Sequence, residues 1–400
     1  MKKYIKICSI FILALVLAYY LFEPIFVYTI GWKNKPNTSN IQPVQIHNDL
    51  ILKKADSILK AIYTKLDAPA VSIAVGQNNK VIWSNVIGYQ NIEDKTLANL
   101  TTKFRIGSTS KAVTSLGIGV LLQNNKLNLD HQVKQFVSYV DKPLKDLTLK
   151  QLGSHTSGIR NYGACLCFPI WEYYNNDSYS SVEESVSLFN NDELLFTPGN
   201  NFSYSSYNYT LLSAMIEEAS GKPFPEFMKE SVFEPLRATF IVEETSETIK
   251  DAAEFYDVTN QKYKKVYPVN NSNKWAGGGF LASPTDLIKL GNAFLNNELF
   301  DKNTTDLLTA PVMLNNSKVN EQNYAIGWRN DAKDIFNNGT TIRVWHHGGI
   351  ANGSISLLAL FPEYNLSISM LANKNGSSSD LFENVYAIAK IFINQKNLTR

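Results

Sequence analysis

Alternating apolar and polar residues fill the last third of this chain and constrain its fold more than any other feature. The pattern begins with YAIGWRND and TIRVWHHGG and continues through SISLLALFP and LSISMLANK. Such alternation is typical of neighbouring antiparallel strands. Near the start of the body, APAVSIAVGQNNKVIWSNVIGYQNIE predicts a hairpin that turns at Gly76–Lys80. We therefore expect one antiparallel sheet built from both ends of the chain.

The region from about 130 to 270 shows mostly helical patterns separated by long loops. Its clearest helical stretches are SYSSVEESVSLFN and YTLLSAMIEEASG, and SSDLFENVYAIAKIFINQ predicts a terminal helix. A chain of 400 residues with 44% hydrophobic content can bury one large core or two lobes. We predict an α/β (α+β) fold in which helices flank the antiparallel sheet and a mainly helical lobe is inserted at about 130–270. The cleft between the lobes is the expected site.

The N-terminus is predicted to lie outside this body. Three lysines precede an uncharged apolar run, Ile7–Phe22, that is just long enough to cross a bilayer. No small-residue cleavage site follows the run, so residues 1–33 are interpreted as an uncleaved membrane anchor, with a cleaved signal peptide as the alternative. The lysines favour a cytoplasmic N-terminus and a body on the periplasmic or extracellular side. Residues 34–46 would then be a polar linker and 47–400 the folded domain.

Composition excludes several other classes of function. The net charge of +2, with Lys and Arg spread evenly, argues against a nucleic-acid partner. The five histidines form no His-x-His-x-Asp motif, so neither a metal site nor a cofactor is expected. The chain lacks the Gly-x-Ser-x-Gly motif of α/β-hydrolases. Cys165 and Cys167 are too close in sequence for an unstrained bridge, so we expect them to be structural or incidental.

The stretch FRIGSTSKAVTSLGIGVLLQ places Ser108 three residues before Lys111. Residues at this spacing share a helix face, and the helix that follows is apolar almost all round, which predicts burial. A buried lysine has a lowered pKa and can act as a base toward a serine hydroxyl. The alternative is an ordinary helix cap with a solvated lysine. A second Ser-x-x-Lys, Ser57 to Lys60, lies in a polar helical pattern and is interpreted as a solvated face.

Two further stretches contain groups suited to acid–base chemistry. In FTPGNNFSYSSYNYTLL, Tyr204 follows a Pro-Gly turn and is a candidate general acid or base, although a tyrosine here is more commonly a core residue. In VWHHGGIANGS, the adjacent His346 and His347 must face opposite sides of a strand. Gly348 and Gly349 would let a ligand approach backbone N–H groups, as an oxyanion hole requires. The alternative is a glycine hairpin with incidental histidines.

The order of these motifs resembles that of the serine β-lactamase and penicillin-binding-protein superfamily. The similarity is to its class C-related (peptidase S12-like) branch, especially the serine β-lactamase-like proteins related to a mitochondrial member. It extends from about 47 to 393 and includes LTLKQLGSHTSGIRNY and NKWAGGGFLASPTDLIKLGNAFL. The resemblance implies a β-lactamase/transpeptidase-like fold and catalysis through an acyl-enzyme.

The resemblance also implies a role for each candidate residue. Ser108 would be the nucleophile, Lys111 its proton partner and Tyr204 the second acid–base group. His346 would orient Tyr204 and the substrate, in place of the strand lysine of many relatives. The backbone N–H groups of Ser108 and Gly349 would form the oxyanion hole. The remaining residues of the two motifs would contact substrate: Ser206, His347 and Gly348.

Two departures from the family pattern bear on the substrate. Ser206 stands where many β-lactamases have asparagine, and His346 provides no constant positive charge for a β-lactam carboxylate. Both favour a small peptide or an ester, so a peptidase or esterase is the expected function. The alternatives are a true β-lactamase or D-alanyl-D-alanine carboxypeptidase, and a catalytically silent scaffold or peptide-binding module.

Overall fold

The computed structural model describes residues 2–38, 40–165, 170–245 and 249–398. Within them, α1 and α2 precede the first long strands, α3 follows them, α4–α10 occupy the middle of the chain and α11 closes it. The bounds of the α-helices are α1 Lys2–Tyr28, α2 Leu50–Leu66, α3 Thr109–Gln123, α4 Leu149–Gly153, α5 Val182–Val186, α6 Tyr207–Ser220, α7 Phe224–Met228, α8 Trp275–Gly278, α9 Pro284–Leu295, α10 Lys302–Thr309 and α11 Ser379–Leu398.

The strands form one large sheet and two small ones. Their bounds are β1 Lys33–Asn34, β2 Ala70–Gln77, β3 Lys80–Asn91, β4 Thr96–Leu97, β5 Phe104–Arg105, β6 Val242–Glu243, β7 Tyr256–Thr259, β8 Lys262–Lys265, β9 Phe280–Ala282, β10 Arg329–Lys333, β11 Ile342–Ala351, β12 Ser354–Phe361 and β13 Leu366–Ala372. The large sheet has the order β10-β11-β12-β13-β2-β3-β4, and its neighbouring strands are antiparallel. The predicted α/β fold with a sheet drawn from both ends of the chain is thus confirmed.

Each face of the large sheet is covered by its own set of helices. The alternation along β2 separates the faces: Val71, Ile73 and Val75 join the core beneath α2 and α11, whereas Ala70 and Ala74 join the core shared with the helical region. Helices α3 and α9 lie on that second face. The sheet is therefore buried on both sides, and α3 is held between the sheet and the helical insertion.

The inserted region is less helical than its sequence suggests. The stretch YTLLSAMIEEASG lies within α6, as predicted, but in SYSSVEESVSLFN only Val182–Val186 form an α-helix. Strands β7 and β8 form a hairpin at 256–265, which the helical reading missed. Its turn residues Asn260 and Gln261 both have positive φ, the conformation that a tight two-residue turn requires.

The N-terminal helix α1 contains an apolar segment, Tyr4–Phe22, that is long enough to cross a membrane and whose side chains are not buried against the body. It is compatible with a signal anchor or a signal peptide. The predicted linker is fixed to the body at its start, because β1 pairs with β8. Cys8 is an exposed free thiol, Cys165 takes part in a disulfide bond, and Cys167 lies outside the described residues.

Candidate active site

Ser108 is presented by a sharp turn between β5 and α3. Gly107 has φ +49°, and a Cβ atom there would come within 2.5 Å of the Ile350 carbonyl oxygen, so the turn requires glycine. Ser108 occupies the N-cap position of α3, but its side chain makes no capping hydrogen bond. The hydroxyl is therefore left to other partners, and the explanation of Ser108 as an ordinary helix cap is not supported.

Lys111 lies one turn further along α3 and is fully buried. Its Nζ lies 2.6 Å from the Gly277 carbonyl oxygen, 3.1 Å from Ser206 Oγ and 3.2 Å from Ser108 Oγ. A neutral amine has two N–H groups and one lone pair. Donation to Gly277 and Ser206 would use both N–H groups and direct the lone pair at the Ser108 hydroxyl, which is the arrangement of a general base.

Burial is the main reason that the pKa of Lys111 falls well below its ordinary value, and the positive charge of Arg329 lowers it further. Lys111 forms no ion pair with any residue of the described ranges. Without a carboxylate to stabilise the ammonium form, the amine is favoured. The expectation of a desolvated lysine beside Ser108 therefore agrees with this environment.

Tyr204 lies in the loop before α6, and the centre of its ring is 5.0 Å from Lys111 Nζ. Burial raises the pKa of Tyr204 to about 12, although the nearby Ser108 hydroxyl and Arg329 oppose the shift. The buried phenol oxygen makes no hydrogen bond of ordinary geometry to the residues described. Tyr204 is thus a protonated phenol beside the nucleophile, better suited to donate a proton than to remove one.

His155 holds this tyrosine loop in place, and the sequence analysis did not single it out. Its carbonyl oxygen accepts from Ser203 N–H at 2.9 Å, and its Nδ1 accepts from Ser205 N–H at 3.3 Å. Its ring packs on Tyr204 with 4.2 Å between centroids. The signal was available in the stretch GSHTSG, which places a histidine at the end of a short helix in the family-like region.

The two adjacent histidines lie on opposite faces of β11, and the structure corrects their assignment. His347 faces the site: its Nε2 is 2.8 Å from the Tyr324 hydroxyl, and its ring lies 6.4 Å from that of Tyr204. His346 turns its ring away from Tyr204: its Nε2 is 3.1 Å from Asp331 and its ring packs on Phe382, which lines the same cavity as His346 itself. The prediction that His346 orients Tyr204 is therefore wrong in placement, because alternation along the strand gives that position to His347.

The register of β11 and β12 also corrects the oxyanion-hole assignment. Ala351 pairs with Ser354 across a two-residue turn, so this is a hydrogen-bonded pair, and the alternation makes Gly349–Ser356 another. The N–H of Gly349 is therefore consumed in the sheet. The N–H of Ile350 points away from β12; a Cβ atom on Gly107 would lie 2.9 Å from the Ile350 nitrogen, and Ile350 and Ser108 line the same cavities. Ile350, rather than Gly349, is the strand residue whose N–H is available beside the nucleophile.

Gly349 is important for a different reason. A Cβ atom at this position would collide with the Ile106 carbonyl oxygen and Ser356 Oγ, so glycine lets β11 approach the turn that carries Ser108. Gly348 lines the cleft beside Ser108, on the strand face toward Ser378. The predicted glycine pair thus lies at the site, but its function is close packing.

Ser206 lies between Lys111 and the tyrosines of the cleft. Its N–H donates to Asn161 Oδ1 at 3.0 Å, and its Oγ contacts Lys111 Nζ. Tyr162 is a second neighbour. Burial raises the pKa of the Tyr162 hydroxyl, and a hydrogen bond with Ser206 opposes part of that rise. Ser206 therefore adjoins both the base and the substrate cleft.

Two cavities meet at Ser108. One, of about 250 Å³, is lined by Tyr204, Arg329, His346, His347 and Phe382 among others. The second is narrower and is lined by Tyr162, Tyr173, Ser206, Asn271 and Lys274 among others. No aspartate or glutamate lines either cavity within the described residues, whereas Arg329 lines the first and Lys274 the second. The cleft therefore has a basic side chain on each side of the nucleophile.

The chain is similar to known proteins over most of its length. The Beta-lactamase family model matches residues 55–392. The mitochondrial serine beta-lactamase-like protein LACTB of Homo sapiens is 29% identical over 309 residues, which cover 61% of this chain and 56% of that protein. Protein flp of Staphylococcus aureus (strain NCTC 8325 / PS 47) is 28% identical over 332 residues, which cover 81% and 63%. The chain thus spans little more than half the length of its LACTB relatives.

Solved structures have the same fold. The octameric penicillin-binding protein homologue from Pyrococcus abyssi has a TM-score of 0.70 at 23% identity, covering 84% of this chain and 76% of its own. The D-amino acid amidase from Ochrobactrum anthropi SV3, complexed with D-phenylalanine, has a TM-score of 0.70 at 17% identity, with coverages of 87% and 100%. Since the family model extends over most of the chain, this protein belongs to the Beta-lactamase family.

Proposed function

We propose that this protein is a serine hydrolase that forms an acyl-enzyme on Ser108, with a peptide or an ester as substrate. The observation that carries the proposal is the buried Lys111 amine, 3.2 Å from Ser108 Oγ and without an acidic partner among the described residues. A lysine kept neutral by burial activates a serine hydroxyl at neutral pH.

In the acylation step, Ser108 Oγ attacks the substrate carbonyl carbon while its proton passes to Lys111 Nζ. The N–H groups of Ser108 and Ile350 would donate to the oxyanion, and each such donor typically contributes about 3–4 kcal/mol. When the carbon–leaving-group bond breaks, the Tyr204 hydroxyl donates its proton to the leaving atom, and Lys111 restores that proton. Water then attacks the acyl-enzyme, with Lys111 and Tyr204 accepting and returning protons in the reverse order.

His347 and His155 would act through Tyr204 and its surroundings. Burial and the charge of Arg329 hold the pKa of His347 well below its ordinary value, so the imidazole is neutral. Its Nδ1 lies 2.8 Å from the Gly348 carbonyl oxygen, which leaves Nε2 to accept from the Tyr324 hydroxyl. His347 therefore provides position rather than charge. His155 fixes the loop that carries Tyr204.

Arg329 favours a second candidate function, that of a carboxypeptidase or β-lactamase. Its guanidinium group lines the cavity on the Tyr204 side, where the leaving group would lie, and its side-chain hydrogen bonds go to the amide oxygen of Gln322. It supplies the constant positive charge that neither histidine provides. A substrate with a carboxylate on its leaving group would pair with it.

We also propose that α1 remains as an anchor and that the hydrolase body lies outside the cytoplasm. The lysines before the apolar segment support this orientation. In a membrane fraction, mass spectrometry of the N-terminal peptide tests retention of the anchor. Digestion of intact cells by an added protease tests the orientation, and a body that is protected until lysis would contradict it.

Covalent labelling of Ser108 tests the enzymatic proposal. The full chain in detergent is incubated with a fluorophosphonate and, separately, with a penicillin, beside Ser108→Ala as the control. We expect a phosphonyl adduct on the peptide that carries Ser108. A penicilloyl adduct as well would favour the second candidate. No adduct from either reagent in a folded protein would leave the silent scaffold or binding module as the explanation.

A further inference from the structure

Lys274 is a buried basic side chain of the cleft that the proposed mechanism does not use. It is only 6% exposed and lines the narrow cavity together with Ser108. Its Nζ donates to the Tyr173 carbonyl oxygen at 2.9 Å and lies over the rings of Tyr162 and Tyr173, at 5.4 and 5.2 Å from their centroids. One carbonyl and two aromatic faces compensate a buried ammonium group only in part.

The carboxylate that acts on Lys274, that of Glu244, is already hydrogen-bonded to other side chains. Glu244 accepts from Arg105 Nε at 2.9 Å and from Arg105 Nη2 at 2.6 Å, and also from Asn271 Nδ2. Burial, together with a smaller contribution from the repulsion of Arg105, lowers the pKa of Lys274 to about 7, and the attraction of Glu244 opposes this only in part. With a pKa of about 7 the Lys274 amine is partly protonated near neutral pH, and no carboxylate of the described residues is in ion-pair contact with it. A carboxylate that enters the cavity would favour its ammonium form and pair with it.

The position of Lys274 relative to Tyr204 identifies the part of the substrate that it would meet. A general acid must contact the leaving atom, so the leaving group lies in the cavity lined by Tyr204 and Arg329. The narrow cavity on the other side of Ser108 then receives the acyl portion. This inference rests on the proposed function and extends it to substrate class.

We propose that Lys274, between Tyr162 and Tyr173, forms a subsite for a carboxylate on the acyl portion of the substrate, so that the enzyme selects acidic acyl groups. A charge-assisted hydrogen bond in a water-poor cavity discriminates a carboxylate from its amide isostere by about 10- to 100-fold.

Protection of Ser108 tests the proposal without a known substrate. The full chain in detergent is labelled with a fluorophosphonate in the presence of N-acetylaspartate α-amide or N-acetylasparagine α-amide, each in both enantiomers. The glutamate and glutamine analogues provide a longer reach. We expect the acid to slow labelling at a concentration about 10- to 100-fold lower than its amide does.

Three variants locate the effect. Lys274→Met should lose the preference for the acid, and Lys274→Arg should retain it. Lys103→Met is the matched control, because Lys103 is also buried, donates to a backbone carbonyl and lies over a ring, but lines neither cavity. Labelling of Ser108 itself reports whether each variant is folded. If Lys274→Met is not labelled, two measurements still test the subsite: the ratio of the acid and amide concentrations that slow labelling of the wild-type protein, and the same ratio for Lys274→Arg.

The outcomes separate this inference from the proposed function. Absence of labelling in folded wild-type protein would overturn the enzymatic proposal and this inference with it. Normal labelling with equal protection by acid and amide, or with no protection by either, would overturn only the acidic subsite. A preference that persists in Lys274→Met would show that another cation is responsible, and would also overturn it.

Discussion

The chain carries the same Ser-x-x-Lys spacing twice, and the two copies have opposite surroundings. Ser57 lies on the exposed face of α2, where its Oγ donates to the Lys53 carbonyl oxygen at 2.9 Å, and Lys60 is exposed to solvent. Ser108 makes no capping bond, and Lys111 is fully buried with its Nζ 3.2 Å from the serine hydroxyl. The spacing brings the side chains to one helix face in both copies, but only Lys111 is buried.

Burial of the lysine, and not the Ser-x-x-Lys spacing itself, is what allows it to accept a proton from serine. An exposed ammonium group is solvated and remains charged at neutral pH, so it cannot accept a proton from serine. A buried amine with two acceptors for its N–H groups has a free lone pair. In the proposed mechanism the functional unit is therefore the pair together with Gly277, Ser206 and Arg329, none of which the local sequence contains.

The largest expected difference between the two copies concerns the serines. We expect Ser108→Ala to lower hydrolysis of an activated ester by at least about 10³-fold, because Ser108 Oγ is the nucleophile of the proposed acyl-enzyme. Ser57→Ala should leave the rate within about twofold, since surface substitutions change little. Steady-state rates of 4-nitrophenyl acetate hydrolysis by the two variants give the comparison. Equal loss in both would remove the distinction between the copies.

The lysines should differ in the same direction with a smaller effect. We expect Lys111→Met to slow acylation by about 10²- to 10³-fold, the usual contribution of a general base. Lys60→Met, the exposed counterpart, should acylate at the wild-type rate. Stopped-flow measurement of the acylation phase tests this directly, and thermal unfolding of each variant controls for misfolding. Fast acylation by a folded Lys111→Met protein would assign the base to another residue.

The two faces of β11 provide a second, weaker contrast. We expect His347→Gln to lower kcat by about tenfold, the effect of losing one well-placed hydrogen bond beside Tyr204. His346→Gln should lower it by less than about threefold, because the His346 ring contacts Asp331 and Phe382, whereas Tyr204 packs near His347. Turnover of the same ester by both variants shows which of the two histidines supports Tyr204. The reverse order would restore the original assignment of His346.

Periodic features of the fold were accessible from sequence. Alternation predicted most strands at both ends of the chain, although only Arg329–Asp331 of the stretch YAIGWRND lie in a strand, β10. The apolar character of α3 predicted burial of Lys111. The β7–β8 hairpin was missed because its turn depends on two non-glycine residues, Asn260 and Gln261, adopting positive φ. Helical spacing in SYSSVEESVSLFN did not guarantee a long helix, since only α5 forms there.

The site was accessible only in part, because several of its properties depend on register. Sequence showed that His346 and His347 face opposite ways, but not which of them faces Ser108. The pairing of Ala351 with Ser354 determines that the Ile350 N–H, rather than that of Gly349, is free of the sheet. Arg329 and Lys274 come from distant segments, so their convergence on one cleft is a tertiary property.

The smallest expected effect concerns Arg329, and its sign follows from charge. Arg329 lowers the pKa of Lys111 and lines the cleft, whereas Arg343 on β11 is exposed, with Glu363 3.9 Å away. Removing the nearby positive charge in Arg329→Gln makes the ammonium form of Lys111 less unfavourable, so the pKa of Lys111 rises. More of the base is then protonated at any pH below that pKa, and the acid limb of the acylation rate should move to higher pH.

We expect this movement to be about 0.5–1 pH unit, since one unit corresponds to about 1.4 kcal/mol of interaction between the two groups. The acylation rate measured from pH 5 to pH 10 gives the limb directly, with Arg343→Gln as the matched control that should not shift it. The alkaline side should stay flat over this range in both variants, because the pKa of Tyr204 is raised to about 12. A limb that does not move in Arg329→Gln would mean that burial alone keeps Lys111 neutral, and the contrast with Lys60 would then rest on desolvation without help from charge.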